Sequence, residues 1–270
     1  MNAHILKLTS LQNDQVKNLV KLRNRRERDR RGLTLIEEAL VIRRALDAGY
    51  PLVAVYFCQD HLDDDGRDLL QALRDKPGLQ LVEVTAPIMA KISYRDHPDG
   101  LLVVADQRPV TLADLTPGEP ALIVILEAVE KPGNLGAVLR IADGAGADAV
   151  ILCGDGTDLF NPNVLRASRG AFFSVPAVTA PTENVLKWLS DHGISSVATS
   201  PAATDAWADT DLTRPTAVLL GTEHDGLSDA VLAAADRTVS LPMLGAGDSL
   251  NVSASCAVMM YEAVRQRRQS

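Results

Sequence analysis

Small polar residues and glycines that can present backbone groups to a bound molecule are concentrated in one C-terminal stretch of the chain. This stretch, residues 241–253, reads LPMLGAGDSLNVS and leads into an apolar segment with the character of a helix. Such a loop leaves many N–H and C=O groups free to contact a ligand. Two segments of the same character lie upstream, at residues 127–140 (EAVEKPGNLGAVLR) and 219–228 (LLGTEHDGLS). Together the three segments indicate a ligand site that is built largely from backbone groups.

Taken in order, the three segments resemble the three motifs of the SpoU/TrmH family, which are knotted RNA 2′-O-ribose methyltransferases of the SPOUT class. The matching residues in the first two segments are Asn134, Gly136, Arg140, Gly221, Glu223, Gly226 and Leu227. Those in the third are Pro242, Met243, Ser249, Leu250, Asn251, Val252 and Ser253. Order and spacing both fit, and the resemblance covers most of residues 120–268. It implies transfer of a methyl group from S-adenosylmethionine to a ribose 2′-hydroxyl of RNA.

The resemblance also implies which residues bind the cofactor and which carry out the reaction. The residues expected to bind S-adenosylmethionine are Thr199, Leu220, Gly221, Leu241, Met243 and Leu250. The residues expected to be catalytic are Arg140, Asn134, Glu223, Ser249 and Asn251. Two purely structural alternatives stay open. Leu220 could serve ordinary strand packing, and Asn134, Ser249 and Asn251 could be helix caps.

Arg140 is expected to be the central catalytic residue. A guanidinium has a pKa above about 12, so it is a poor acceptor for the proton of the 2′-hydroxyl. We therefore expect Arg140 to anchor the adjacent phosphate and to stabilise negative charge that develops on the 2′-oxygen. Asn134 is expected to orient Arg140 or the ribose, and Glu223 to fix Arg140. The alternative for Arg140 is a structural salt bridge to Glu223 or Asp143.

Basic residues are concentrated near the N-terminus, although the formal net charge of the chain is −8. Eight of the 27 lysines and arginines lie between Lys17 and Arg31. Salt screens interactions between charges that lie more than about 10 Å apart, so a phosphate backbone is attracted by the local density of positive charge rather than by the net charge of the chain. RNA contact is predicted here, with a solvated helix face as the alternative. The residues predicted to bind RNA are Lys21, Arg23, Arg25, Arg26 and Arg169. Arg169 and Arg166 are predicted to share one helical face.

The N-terminal part, residues 1–106, has the pattern of a small α/β domain. Helices are predicted at 14–31, 37–48 and 66–74, and strands at 52–58, 81–84 and 101–105. In the resembled family an L30e-like domain that grips RNA occupies this place. One departure concerns residues 33–38, LTLIEE, where relatives commonly carry FLVEG. The missing glycine leaves the local loop geometry open. Three prolines and a glycine in residues 107–120 predict a linker.

The C-terminal part, residues 121–270, is predicted to be the catalytic domain. Strands at 121–126, 149–153, 196–199 and 217–220 alternate with helices, including 134–146 and a last helix at 250–264. Continuous apolar strands of this kind indicate an open parallel sheet covered on both faces. The resemblance implies that the C-terminal chain threads a loop to form a trefoil knot, an exception to the usual absence of threading. It further implies a homodimer in which an arginine reaches across to the partner's site.

Several other classes of protein are disfavoured. The turn at residues 131–136, KPGNLG, lacks the GxGxxG spacing of an NAD(P)-dependent oxidoreductase. Cys58, Cys153 and Cys256 have no metal-ligand spacing, so buried free thiols and no metal site are predicted. There is no apolar run of about 18 residues, and residues 1–7 lack the layout of a signal peptide. These features predict a cytoplasmic enzyme without a membrane span.

The identity of the RNA is less constrained than the reaction. An L30e-like N-terminal domain resembles enzymes that modify large-subunit (23S) ribosomal RNA, which is therefore the favoured substrate. Enzymes that modify tRNA usually carry different terminal extensions, and tRNA is the alternative. A catalytically inactive RNA-binding protein is the alternative from a different class, but the intact Arg140, Glu223 and Asn251 argue against it.

Overall fold

The computed structural model describes residues 5–269, so residues 1–4, part of the stretch behind the signal-peptide prediction, lie outside it. The chain forms two compact units. The first unit contains the residues up to 108 together with 160–173, and the second contains 109–159 together with the residues from 174 onwards. Residues 160–173, which the sequence prediction left within 121–270, therefore pack with the first unit.

The first unit is built on a mixed five-stranded sheet. Its strands are β1 (Leu6–Leu8), β2 (Leu33–Glu37), β3 (Leu52–Phe57), β4 (Gln80–Val84) and β5 (Leu101–Asp106). Its first five helices are α1 (Asp14–Lys21), α2 (Arg25–Arg31), α3 (Ala39–Asp47), α4 (Asp64–Arg74) and α5 (Ala86–Ile92). The strand order is β1-β4-β3-β5-β2, in which β1, β4 and β3 are parallel and β5 is antiparallel to both of its neighbours.

Both faces of this sheet are covered, because successive side chains of a strand point to opposite faces. In β3, Val55 and Phe57 are buried in one apolar cluster with residues of α3 and α4. Tyr56 lies between them in sequence and is buried in a second cluster, with Leu19 of α1 and Ile88 of α5. The α/β character predicted for this part of the chain is thus observed as a sheet between two helical layers.

Two local predictions in the first unit are wrong. The single helix predicted at 14–31 is two helices, because Asn24 caps the second one and its side chain accepts a hydrogen bond from Arg26 N at 2.8 Å. An asparagine at this place favours a new helix start over continuation. Residues 33–37 form the strand β2, which was not predicted, and the helix predicted from 37 begins only at Ala39.

The second unit is built on a seven-stranded parallel sheet. Its strands are β6 (Leu122–Glu127), β7 (Ala149–Cys153), β8 (Ala177–Thr179), β9 (Ser195–Thr199), β10 (Asp205–Ala206), β11 (Thr216–Leu220) and β12 (Arg237–Ser240). Its helices are α6 (Pro132–Ala145), α8 (Thr182–Asp191), α9 (Asp229–Ala234) and α10 (Val252–Arg267). The strand order is β10-β12-β9-β11-β6-β7-β8, and every neighbouring pair is parallel.

The central strands of this sheet are buried along their whole length, as the continuous apolar runs predicted. All residues of β6, β7 and β11 are buried. Strands buried on both faces read as unbroken apolar runs, which is why these three could be located from sequence. The short edge strands β8 and β10 and the polar strand β12 lack that signal and were not predicted. The predicted parallel α/β architecture is confirmed.

The segments that join the two units are ordered. Of the predicted linker at 107–120, the part from residue 109 packs on the second unit: Val110 forms a β-bridge with Val178, and Leu115 is buried in the core. Within residues 160–173, the helix α7 (Pro162–Ala167) is followed by the backbone of Arg169 at φ 50°.

Two further findings bear on the class of protein. Among residues 5–269, no helix has both the length and the apolar character needed to cross a membrane. Cys58, Cys153 and Cys256 are free and buried, as predicted. Burial raises the pKa of the Cys256 thiol to about 12, so this group stays protonated and unreactive at neutral pH.

Candidate active site

The three segments singled out in the sequence meet at one edge of the parallel sheet. Residues 128–131 follow β6, residues 221–228 follow β11, and residues 241–251 follow β12. Because all seven strands run in the same direction, the loops after their carboxyl ends lie on the same side of the sheet. This edge is where ligands bind in open α/β sheets.

A cavity of about 800 Å³ opens between these loops. All six residues predicted to bind S-adenosylmethionine line it, namely Thr199, Leu220, Gly221, Leu241, Met243 and Leu250. The loops after β11 and β12 and the start of α9 carry carboxylates into the same lining, at Glu223, Asp225, Asp248 and Asp229. The larger cavity is thus part apolar and part acidic. Such a lining suits a ligand with a flat apolar moiety and a positive charge.

The loop at 221–228 is a tight turn that only glycines can close. Thr222 N donates to Gly226 O at 3.0 Å, and Gly226 N donates back to Thr222 O at 3.2 Å. Gly226 has φ 71°, and a Cβ at Gly221 would collide with the backbone of Gly226 and Leu227. Packing alone therefore requires Gly221, and the closed turn holds Glu223 and its neighbours at the rim of the cavity.

The carboxylate of Glu223 connects all three segments. It accepts hydrogen bonds from Lys131 Nζ, from Asn134 Nδ2 at 3.0 Å and from Asn251 Nδ2. Asn251 Nδ2 also lies 3.3 Å from Asn134 Oδ1. The hydrogen bond from Lys131, followed by that from Asn134, holds the pKa of Glu223 below its usual range. Glu223 is therefore ionised at neutral pH, and both of its oxygens accept hydrogen bonds.

Of Asn134, Ser249 and Asn251, which were considered as helix caps, only Asn251 caps a helix. Asn251 is the N-cap of α10, since its Oδ1 accepts from Ser253 N at 2.9 Å, while its Nδ2 joins the Glu223 network. Asn134 lies inside α6, whose N-cap position is Lys131, so the capping role considered for Asn134 is wrong. Ser249 does not cap α10; it lines the larger cavity.

Arg140 does not contact Glu223, and the expectation that Glu223 fixes it is wrong. Asn134 and Arg140 are six residues apart on α6, which separates them by about 9 Å along the helix and about 240° around it. Arg140 is exposed, and within residues 5–269 it makes no hydrogen bond or ion pair. Since Arg140 makes no ion pair, the alternative considered for it, a structural salt bridge to Asp143, is also absent from the described residues. The guanidinium is thus free for a group from outside the chain.

A second, smaller cavity of about 280 Å³ lies beside the Glu223 network. Its lining combines residues after β6 with the loop after β11: Ala128, Val129, Glu130, Lys131, Asn134, Thr222, Glu223, His224, Asp225 and Val252. Sequence reasoning missed Lys131 and His224. Lys131 and His224 are not among the residues that match the family motifs. The sequence could have indicated them only by their position near the motif residues Asn134 and Glu223.

The basic cluster of the first unit contains both structural and free side chains. Arg28 is buried and its Nη1 donates to Leu22 O at 2.8 Å, so it serves the fold. Arg23 donates to Ser93 O and lies over the ring of Tyr94, with 5.6 Å between Cζ and the ring centroid. Arg25 pairs with Asp29 at 3.5 Å. Two of the predicted RNA-binding residues, Lys21 and Arg26, are exposed and make no side-chain contact of this kind within 5–269.

The shared helical face predicted for Arg166 and Arg169 does not exist. The helix α7 ends at Ala167, and Arg169 adopts the left-handed φ of 50°. Ser168 causes the turn, because its Oγ accepts from Gly170 N at 3.2 Å and donates to Leu165 O at 2.7 Å. Arg169 remains exposed on the surface of the first unit.

Comparison with known proteins is consistent over both units. The SpoU rRNA Methylase family matches residues 121–261, and the MRM3-like substrate binding domain matches residues 13–103. A 23S rRNA (uridine(2479)-2′-O)-methyltransferase from Streptomyces viridochromogenes is 32% identical over 254 residues, covering 91% of this chain and 87% of that protein.

Solved structures agree with this result. An RNA 2′-O ribose methyltransferase is 42% identical with a TM-score of 0.86, covering 97% of this chain and 100% of that one. An AdoMet-bound rRNA methyltransferase from Sinorhizobium meliloti has a TM-score of 0.88 at 30% identity, covering 97% and 98%.

Proposed function

The chain belongs to the SpoU rRNA methylase family, and we propose that it transfers a methyl group from S-adenosylmethionine to a ribose 2′-hydroxyl of 23S ribosomal RNA. The observation that carries this proposal is the convergence of three motif segments on one edge of the sheet, with Asn134, Glu223 and Asn251 joined beside the larger cavity. Relatives named for this reaction cover most of the chain. Such a substrate also supports the predicted cytoplasmic location.

The residues of the larger cavity fit S-adenosylmethionine, which supplies an activated methyl group on a sulfonium. Leu220, Leu241, Met243 and Leu250 line this cavity and offer apolar contacts to a nucleoside. The carboxylates in the lining complement the positive charge of the sulfonium and of the amino group. The cofactor has no phosphate groups, which explains why no phosphate-binding loop is needed in this lining.

The acceptor ribose is proposed to lie beside the Glu223 network. The fixed carboxamides of Asn134 and Asn251 can hold ribose hydroxyls in one orientation, because both are tied to the Glu223 carboxylate. Since Arg140 lies on a different side of α6 from Asn134, it is proposed to act in the partner's site of a homodimer, where it binds the phosphate next to the target ribose and stabilises charge that develops on the 2′-oxygen. Its lack of a partner within the described chain supports that role.

The first unit is proposed to bind the ribosomal RNA around the target nucleotide. Its match to a substrate-binding domain and the free Lys21 and Arg26 support this role. We also infer a homodimer, supported by the unpartnered Arg140 and by Tyr261 of α10, which is 51% exposed. The C-terminal trefoil knot remains a proposal, supported by the packing of α10 against α6 and β11 at the centre of the sheet.

The test is methyl transfer from labelled S-adenosylmethionine to bacterial RNA that lacks the modification, separated into ribosomal and transfer fractions. We expect label in 23S RNA, recovered after alkaline hydrolysis in resistant dinucleotides that mark a 2′-O-methyl group. Arg140→Ala should lower the rate by about 100-fold or more while cofactor binding persists. Label in tRNA alone would overturn the substrate, and absence of cofactor binding would overturn the reaction.

A further inference from the structure

The larger and smaller cavities share one dividing wall. The residues that line both are Thr222, Glu223, His224, Asp225 and Val252. One cavity contains the residues that suit S-adenosylmethionine, and the other contains Asn134 of the network that suits the acceptor ribose. A group on this wall therefore faces both reactants of the proposed transfer.

Methylation of a hydroxyl requires that a proton leaves the oxygen, and the motif residues are poor acceptors for it. Glu223 is occupied by Lys131, Asn134 and Asn251. A guanidinium such as that of Arg140 does not take up a proton at neutral pH. An imidazole does, because its unperturbed titration lies near pH 6.5. His224 is exposed and makes no side-chain hydrogen bond or ion pair within residues 5–269, so its ring nitrogens are available.

Resting on the proposed function, we propose that His224 is the proton acceptor for the ribose 2′-hydroxyl. In the transfer, an oxygen lone pair forms the new bond to the methyl carbon, and the electron pair of the carbon–sulfur bond stays on sulfur as a neutral thioether. The hydroxyl proton passes to the free ring nitrogen of His224, and the imidazolium then releases it to water. Proton transfer to a positioned group of this kind contributes about 100- to 10,000-fold to a rate.

Charged groups line both cavities around His224. The charged groups on the elements that line the two cavities are Glu130, Lys131, Glu223, Asp225, Asp229 and Asp248. Five of these six are carboxylates, and the sixth is the ammonium group of Lys131. Since only a neutral imidazole accepts a proton, the rate of the proposed transfer should rise with pH.

The kinetic test compares His224→Gln and His224→Ala with the wild type on 23S RNA. Both variants should lose about 100-fold or more in kcat with little change in the KM for S-adenosylmethionine, and the rising limb of the kcat–pH profile should disappear. His192→Gln is the matched control, because His192 is an exposed histidine at the end of α8 that lines neither cavity. Wild-type kcat with an unchanged pH limb in His224→Gln would overturn the proposal.

A second measurement does not depend on turnover. The ring proton resonance of His224, assigned by its loss in His224→Gln, is titrated by NMR with S-adenosylmethionine and with S-adenosylhomocysteine. A sulfonium close to the ring should shift the His224 resonance by a different amount from the neutral thioether, whereas the His192 resonance should be the same with both ligands. Identical His224 resonances with both ligands would overturn its placement. If the wild type binds cofactor but methylates no RNA, the proposed function fails while this result still decides the position of His224.

Discussion

At the scale of single residues, the site depends on one carboxylate that serves three donors. Glu223 binds Lys131, Asn134 and Asn251, which come from two other segments of the chain. A network in which every donor has a fixed acceptor restricts each side chain to one rotamer, which is what a transfer reaction needs from its positioning groups. The motif residues could be named from sequence. Their partner Lys131 could not, because nothing in the spacing of residues shows which side chain a folded loop will face.

The first prediction concerns the charge of Glu223. Its pKa is lowered chiefly by the hydrogen bond from Lys131, so the network is intact above the ordinary range of a glutamate and is lost as pH falls through the lowered folded-state pKa. Lys131→Met should therefore raise the pKa of Glu223 and move the loss of the network to higher pH. Carbon NMR of the Glu223 carboxyl measures this directly. Titration at the same pH in Lys131→Met and the wild type would contradict the assignment.

At the scale of elements, the turn from β2 into α3 contains a strained residue. Glu38 lies between them with φ 70° and ψ 127°, a conformation that side chains with a Cβ rarely adopt. This is the place where relatives of the resembled family carry a glycine. The sequence thus located a departure from the pattern, but its consequence, a glutamate with a positive φ, is visible only in the fold.

The second prediction is that Glu38→Gly stabilises the protein. Relief of the backbone strain should contribute about 1–3 kcal/mol. The greater entropy of glycine in the unfolded chain offsets about 0.5–1 kcal/mol of this. A net gain of about 1 kcal/mol should appear in urea unfolding monitored by circular dichroism. Glu38→Gln, which keeps the Cβ and removes only the charge, should show no comparable gain. Equal stability of the glycine and glutamine variants would show that the turn is not strained.

At the scale of the whole molecule, sequence and structure agree best where a pattern is local. The unbroken apolar runs located β6, β7 and β11, and the motif loops after parallel strands placed six pocket residues around one cavity. The inclusion of 160–173 in the first unit has no such signal, because it arises from contacts between segments far apart in sequence, such as Thr34 Oγ1 with Phe160 O at 2.7 Å. Long-range pairing of this kind cannot be derived from periodicity.

The charge of the whole chain makes RNA binding a local property. A formal net charge of −8 repels a polyanion at long range, so attraction has to come from basic groups that salt does not screen at contact distance. Of the residues in the N-terminal basic cluster that were predicted to contact RNA, Arg23 is bonded to backbone carbonyls and Arg25 is paired with Asp29. Lys21 and Arg26 are therefore the residues expected to release counterions from phosphates.

The third prediction follows from these two free charges. Replacing both Lys21 and Arg26 with glutamine should weaken binding to 23S RNA at low salt. It should also reduce the slope of log K against log salt by roughly 0.7–0.9 for each phosphate contact that is lost. Cofactor affinity should not change.

The matched control replaces Arg67 and Lys76 with glutamine, which removes the same amount of charge. These two residues lie near α4, whose apolar residues pack on one face of the sheet, while those of α1 pack on the other. Equal slopes for the two double variants would mean that net charge alone governs binding, and the RNA contact would have to be sought elsewhere, with the exposed Arg169 as the next residue to replace.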